Sequence, residues 1–127
     1  MNDTLKPDAR PAPAIDPLTL EQLRLLEKDA GGDGFVAMLV EEFLKAATPA
    51  LGEMERALKN ADALTVKRKA HALCGSSGNL GARTMMGICR QIEVAGEQDD
   101  LTAASALMTG LNAEFARVKE ELLSAIH

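Results

Sequence analysis

The sequence predicts an all-α fold, an antiparallel up-down four-helix bundle with an additional short N-terminal helix. The 127-residue chain has no tryptophan or tyrosine, and its apolar residues are mostly Ala, Leu, Met and Val, a composition that favours helices over strands. Apolar residues recur at helical spacing in each long segment, without strand-like alternation. The connections between these segments are short, which favours antiparallel neighbours within one domain.

The first two helices follow a proline-containing start. Residues 1–16 contain three prolines among small and polar residues and show no sustained apolar period, which is typical of a flexible tail or linker. The bundle is predicted over residues 17–127. A first helix fits residues 18–28 and ends at a glycine cluster. A second fits residues 34–60, where Pro49 is expected to kink or split it.

Three further helices complete the prediction. Asp62 is a candidate N-cap for a third helix over residues 63–79, and Gly81 marks its end. A fourth helix is predicted over residues 82–96 and a fifth over residues 101–125, each with an apolar stripe of helical period.

The charge distribution narrows the class of partner. The net charge of −5 argues against nucleic acid as the main partner, because phosphate backbones favour basic domains. Residues 63–92, however, contain no Asp or Glu. Five cations lie within that stretch, namely Lys67, Arg68, Lys69, Arg83 and Arg90. Such a locally basic surface would attract an acidic partner or an anionic group.

Cys74 and Cys89 lie among helical residues, so we expect free thiols in a reducing compartment. No apolar run reaches the roughly 18 residues that a bilayer requires, and the start lacks the order of a signal peptide; we therefore expect a cytoplasmic protein without direct membrane contact. A zinc site built from His71 and the cysteines is disfavoured because no fourth ligand is offered. A catalytic thiol at Cys74 is disfavoured because residues 63–92 contain no orienting acid.

The third helix carries the candidate chemistry. Its predicted buried stripe consists of Val66, Ala70, Leu73, Ser77 and Leu80. His71 lies away from that stripe, on a face that we expect to meet solvent. The residues within about 60° of it on a helical wheel are Lys67, Arg68, Cys74, Gly75 and Gly78.

The glycines after His71 need a reason, since a glycine inside a helix costs roughly 1 kcal/mol relative to alanine. One interpretation is that the helix ends near Gly75 and residues 75–81 form a loop. The other is that the helix continues, as the apolar spacing indicates, and that Gly75 and Gly78 clear space around the imidazole. A partner's backbone could then approach closely.

An imidazole is suited to attack on a phosphoryl group near neutral pH, because one ring nitrogen is nucleophilic while the other holds the proton. The product, a phosphohistidine, brings new negative charge. Lys67, Arg68 or Lys69 could stabilise that charge by charge-assisted hydrogen bonds.

Residues 70–93, AHALCGSSGNLGARTMMGICRQIE, resemble the signature of histidine-containing phosphotransfer (HPt) domains. That signature reads Ala-His-x-Leu-Lys-Gly-Ser-Ser, then Gly-Ala, then apolar residues and a Glu on the next helix. The resemblance implies an antiparallel four-helix bundle whose His71 exchanges a phosphoryl group with an aspartate of response-regulator receiver domains. It also implies that Mg²⁺ is held by the receiver, and that this chain needs no cofactor or metal of its own.

The resemblance assigns roles residue by residue. It makes His71 the phosphoacceptor and Gly75 the source of clearance beside it, and it places four residues in helix packing, namely Ser76, Ser77, Gly81 and Ala82. One position departs from the family, because Cys74 stands where a lysine is usual. The missing charge must come from elsewhere, and Lys67 and Arg68 are the best candidates.

Two function classes remain open. The first is a phosphorelay intermediate, which we expect to be a monomer and a covalent carrier without an ATP site, and so not an autonomous enzyme. The second is a non-catalytic interaction module whose basic face docks an acidic partner. The proline-containing start is compatible with a tether to a hybrid histidine kinase in cis and equally with a free-standing carrier.

Overall fold

The computed structural model describes residues 12–127 and contains five helices and no strand within that range. The helices are α1 (Pro17–Asp29), α2 (Phe35–Lys59), α3 (Ala63–Asn79), α4 (Arg83–Glu97) and α5 (Leu101–Ile126). The predicted all-α class is therefore confirmed, and each predicted helix lies within a few residues of its observed bounds. None of these helices is long and apolar enough to cross a bilayer.

Helices α2 to α5 form the bundle. Each packs against the next along the chain, and α5 returns to pack against α2, so that four antiparallel helices enclose one core. Successive turns of each helix supply the buried side chains, including Val40, Met54, Met85, Ile92 and Leu111. The interface between α3 and α4 is the most extensive of the bundle, and the predicted site on α3 lies beside it.

The additional helix α1 lies across one end of the bundle, as predicted. Arg24 donates to the carbonyl of Ala125 at 3.1 Å, and Glu27 accepts from the backbone of Val36 at 3.1 Å. These contacts connect α1 to the end of α5 and the start of α2. No α1 residue is buried, so this helix covers the core without belonging to it.

Pro49 does not split α2. The helix continues from Phe35 to Lys59 because Pro49 is exposed, and the carbonyl of Lys45, which loses its helical partner, is also on the exposed side. Thr48 adds a hydrogen bond from its hydroxyl to the carbonyl of Leu44 at 2.9 Å. The hydrogen bond lost at the carbonyl of Lys45 can be replaced by water, because that side of the helix is exposed.

The turns into α3 and α5 are capped by aspartates. Asp62 accepts from the backbone of Thr65 at 3.1 Å and from its hydroxyl at 2.7 Å, which confirms the predicted cap. The hydrogen bonds from Thr65 lower the pKa of Asp62. Asp100 accepts from the backbone of Ala103 at 3.1 Å in the same way.

The tail predicted for residues 1–16 lies largely outside the described residues. Its final part does not behave as a tail, because Ala14 and Ile15 are buried and their backbone amides donate to Glu121 at 2.8 and 2.9 Å. Asp16 caps α1 and binds Arg83 at 3.0 Å, which lowers the pKa of Asp16. The folded unit therefore begins before the predicted boundary, since α5 holds this short segment.

Candidate functional site

His71 projects from the middle of α3, and its side chain is 75% exposed. Its Nδ1 atom lies 2.8 Å from Oε2 of Glu93, a residue of α4 whose side chain is 22% exposed. An ionised carboxylate can only accept hydrogen bonds, so this contact requires the proton on Nδ1. The opposite nitrogen, Nε2, is then the ring atom with a free lone pair.

The His71–Glu93 contact is one of several between α3 and α4, and two others lie on the following turns of α3. Arg90 Nη2 lies 3.7 Å from the sulfur of Cys74, and Met86 covers Gly78. From one pair to the next, the α3 residue number rises by three or four and the α4 residue number falls by the same amount, as expected for antiparallel helices. We call these three pairs the α3–α4 ladder. It fixes Glu93 opposite His71 and Arg90 one turn away.

The cations of the predicted basic face divide into two groups. Lys67 and Arg68 line a shallow pocket of about 300 Å³ together with His71 and Glu93. Lys69 instead faces α2, where its ammonium lies 2.7 Å from Glu53 and lowers the pKa of that carboxyl. Two of the three lysine and arginine residues proposed to stabilise a phosphoryl group thus lie beside the imidazole, and Lys69 does not.

The two glycines after His71 have different surroundings. The helix runs to Asn79, so the loop interpretation of residues 75–81 is wrong. A Cβ atom on Gly75 would have nothing within 4 Å, which leaves the surface beside His71 open. A Cβ atom on Gly78 would lie 2.7 Å from the sulfur of Met86. The prediction that Gly78 clears space for a partner is therefore wrong, because α4 packs over it.

Cys74 is also placed differently from the prediction. It is only 8% exposed and faces α4, so it does not belong to the solvent-facing surface. A helical wheel gives its angle from His71 correctly but does not show that α4 covers that side. Cys89 is fully buried, and this burial raises the pKa of its thiol to about 12. Within residues 12–127, no group of histidine, cysteine and acidic side chains is arranged to hold a metal.

The four residues assigned to motif packing lie at the end of α3 and the turn after it. Ser77 is fully buried and donates to the carbonyl of Leu73, and the hydroxyl of Ser76 donates to the same carbonyl at 3.3 Å. Gly81 has a φ of +80°, and a Cβ atom there would lie 2.7 Å from Thr19 on α1. Ala82 is fully buried at the start of α4.

Sequence reasoning did not identify two residues of the site. Glu93 lies one residue beyond the acid-free stretch, and it entered the sequence prediction only as part of a family signature. Arg90 was counted as a surface cation without a position. The spacing of both residues along α4 could have indicated their role, because they lie three residues apart and so share one helix face. Only the register between α3 and α4 shows that this face meets His71 and Cys74.

Comparison with known proteins identifies the class. Residues 38–121 match the Hpt domain family, so the chain belongs to that family and is a phosphorelay intermediate of two-component signal transduction. Hpt proteins carry a phosphoryl group rather than catalyse a reaction independently, and their partners are response-regulator receiver domains.

Two solved structures are similar to the whole bundle. Histidine-containing phosphotransfer protein B of Pseudomonas aeruginosa PAO1 has a TM-score of 0.80 and 27% identity, covering 90% of this chain and 95% of that one. The maize histidine-containing phosphotransfer protein ZmHP2 has a TM-score of 0.83 and 24% identity, covering 91% and 84% respectively. The maize likeness shows the fold alone. A search of curated proteins finds no match.

Proposed function

We propose that this chain accepts a phosphoryl group on Nε2 of His71 from the aspartyl phosphate of a receiver domain and passes it to another receiver. One observation carries the assignment: the imidazole is 75% exposed while its Nδ1 atom is held at 2.8 Å by Glu93. The ring is thus oriented by the protein on one side and accessible to a partner on the other.

The transfer step is a single displacement at phosphorus. The lone pair of Nε2 attacks the phosphorus atom, the N–P bond forms, and the bond between phosphorus and the aspartate oxygen breaks. The aspartate leaves as a carboxylate. The proton stays on Nδ1, so the ring of His71 gains positive charge, and the carboxylate of Glu93 stabilises that charge through the existing hydrogen bond. The reverse step returns the group to a second receiver.

The surface around His71 supports docking of a receiver. Lys67 and Arg68 provide positive charge beside the imidazole, which complements an acidic receiver pocket that holds the Mg²⁺ of the reaction. Leu64 lies two turns before His71 and is 53% exposed, and Val94 follows Glu93 and is 45% exposed. These apolar side chains beside the charged pocket are typical of a protein contact surface.

The proposal extends to the state of the protein. We propose a monomer that acts in the cytoplasm, where the thiols of Cys74 and Cys89 stay reduced, and that holds no metal itself. We propose that its phosphoryl donor is a phosphorylated receiver domain. That receiver could belong to a hybrid kinase fused to this chain or to a separate protein.

A labelling experiment tests the assignment. The protein is incubated with phosphorylated receiver domains, and we expect acid-labile, alkali-stable phosphate on the wild type and none on His71→Gln. The chain has two histidines, so His127→Gln is the matched control and should label normally. If the wild type binds receivers but takes no label from any of them, the chain is an interaction module and the proposal fails. Label on His71→Gln would also refute it.

A further inference from the structure

We propose that Arg90 supplies the positive charge that this chain lacks at position 74, and that its guanidinium binds the phosphoryl group on His71. The inference rests on the proposed phosphorylation of His71. It replaces the expectation that Lys67 and Arg68 alone make up for Cys74. The observation behind it is the 3.7 Å contact between Arg90 Nη2 and the sulfur of Cys74.

The α3–α4 ladder places Arg90 next to the site. Arg90 lies one turn from Glu93 on the same face of α4, and Cys74 lies one turn from His71 on α3. The guanidinium therefore reaches from α4 to the position that a side chain at residue 74 would otherwise occupy. Arg90 is exposed, whereas the Cys74 sulfur that it contacts is buried, so guanidinium donors remain accessible to solvent at a position one helical turn from His71.

The chemistry of the two side chains suits this arrangement. A cysteine is short and has a weak sulfur acceptor, so it leaves room for a long side chain and uses one of its donors. Arginine has five N–H donors in a planar fork, so those not directed at sulfur are available to phosphoryl oxygens. Phosphorylation adds nearly two negative charges and three acceptor oxygens, which form charge-assisted hydrogen bonds with such a group.

The cations that line the imidazole pocket differ from Arg90 in position. Lys67 and Arg68 lie on the turn of α3 before His71, whereas Cys74 and its contact with Arg90 lie on the turn after it. Lys69 is already paired with Glu53. Arg90 therefore places a positive charge beside the turn that follows His71.

The test is a double-mutant cycle on positions 74 and 90 in the full chain. The variants are Arg90→Gln, Cys74→Lys and the combination, and the measurements are the rate of transfer from a phosphorylated receiver and the half-life of phosphohistidine. Arg90→Gln keeps most of the side-chain length and removes the charge. We expect it to slow transfer or shorten the half-life by about tenfold, the effect of roughly one charge-assisted hydrogen bond.

Rescue separates a charge effect from a structural one. Cys74→Lys in the Arg90→Gln background should restore most of the loss, because the new ammonium stands in the same turn of the ladder. Cys74→Lys alone completes the cycle, and Lys69→Ala is the control: it removes a cation that is paired with Glu53 and should leave transfer unchanged. Arg90→Lys should retain most of the activity. Thermal melts by circular dichroism check that each variant is folded.

The outcomes are distinct. A folded Arg90→Gln that transfers at the wild-type rate and keeps its phosphohistidine overturns the inference, as does a loss that neither Cys74→Lys nor Arg90→Lys restores. If Arg90→Gln does not fold, Arg90→Lys decides: it should transfer nearly as the wild type does, and loss of transfer in folded Arg90→Lys contradicts the charge role. Absence of label on the wild type refutes the phosphorylation of His71 instead.

Discussion

Removing the charge of Glu93 should slow phosphotransfer without unfolding the bundle. In Glu93→Gln an amide oxygen can still accept from Nδ1 of His71, so the ring keeps its orientation and tautomer, and only the carboxylate charge is lost. In Glu93→Ala both the charge and the acceptor are lost. Comparing the two variants therefore separates stabilisation of ring charge from orientation of the ring.

The expected magnitude follows from the contact. A hydrogen bond to a charged group contributes about 1.5–3 kcal/mol, and the 75% exposure of His71 places this one at the lower end. About 1.4 kcal/mol corresponds to a tenfold change in rate. We expect Glu93→Gln to slow transfer by about fivefold to tenfold and Glu93→Ala by about tenfold to thirtyfold. The melting temperature should barely change, because the imidazole at one end of the contact is largely exposed.

The assay is single-turnover transfer from a phosphorylated receiver, with the receiver in excess so that binding and chemistry are separated. Glu97 provides the control, since it lies one turn further along α4, is exposed, and has no contact with His71. Glu97→Gln should transfer at the wild-type rate. Wild-type rates in both Glu93 variants would refute the idea that this carboxylate assists the transfer.

Three further predictions concern the helices around the site. Gly75→Leu should leave the thermal melt unchanged, because a Cβ atom at this position meets nothing within 4 Å. It should block transfer, because the leucine side chain would obstruct the receiver beside His71, and normal transfer would contradict the proposed docking surface. Gly81→Ala should lower the urea-derived free energy of unfolding by about 2 kcal/mol, since the residue has a φ of +80° and Thr19 lies where the Cβ would be; an unchanged value would refute this. The pKa of Asp62 is lowered in the folded state, so its stabilising effect is full above the unfolded-state pKa and is lost as the pH falls through the folded-state pKa. Asp62→Asn should therefore weaken the pH dependence of stability below about pH 4, and an identical dependence in both proteins would contradict the cap.

Most of the fold could be predicted because each helical segment has apolar residues at helical spacing and has capping or glycine residues at its ends. Asp62 and the glycine turns mark boundaries through local chemistry, which acts over a few residues. Pro49 and Ile15 show where local signals fail. Pro49 is tolerated because its side of α2 faces solvent, and Ile15 is held by Glu121, more than a hundred residues further along the chain. Neither fact is present in the local sequence.

The surroundings of the candidate site residues were predicted in part for the same reason. The exposure of His71 and Gly75 could be predicted from α3 alone, because it depends on the direction of one helix face. Cys74 and Gly78 could not be placed, since their surroundings depend on where α4 packs. Glu93 requires the register between the two helices, which no periodicity within one helix contains.

The signature on α3 therefore serves two purposes, phosphotransfer in its first part and helix packing in its second part. Of residues 71–75, His71, Ala72 and Gly75 are exposed, so substitutions at these three positions should alter transfer and leave stability nearly unchanged. From Ser77 to Ala82 every residue except the exposed Asn79 is buried or covered by α1 or α4, so substitutions at the other positions should unfold the bundle before they affect transfer directly. Cys74 lies where the two purposes meet, because its sulfur is buried against α4 while its contact with Arg90 extends to the surface beside the imidazole. A change at this position alters packing and site charge together, and it can be interpreted only when position 90 is varied with it.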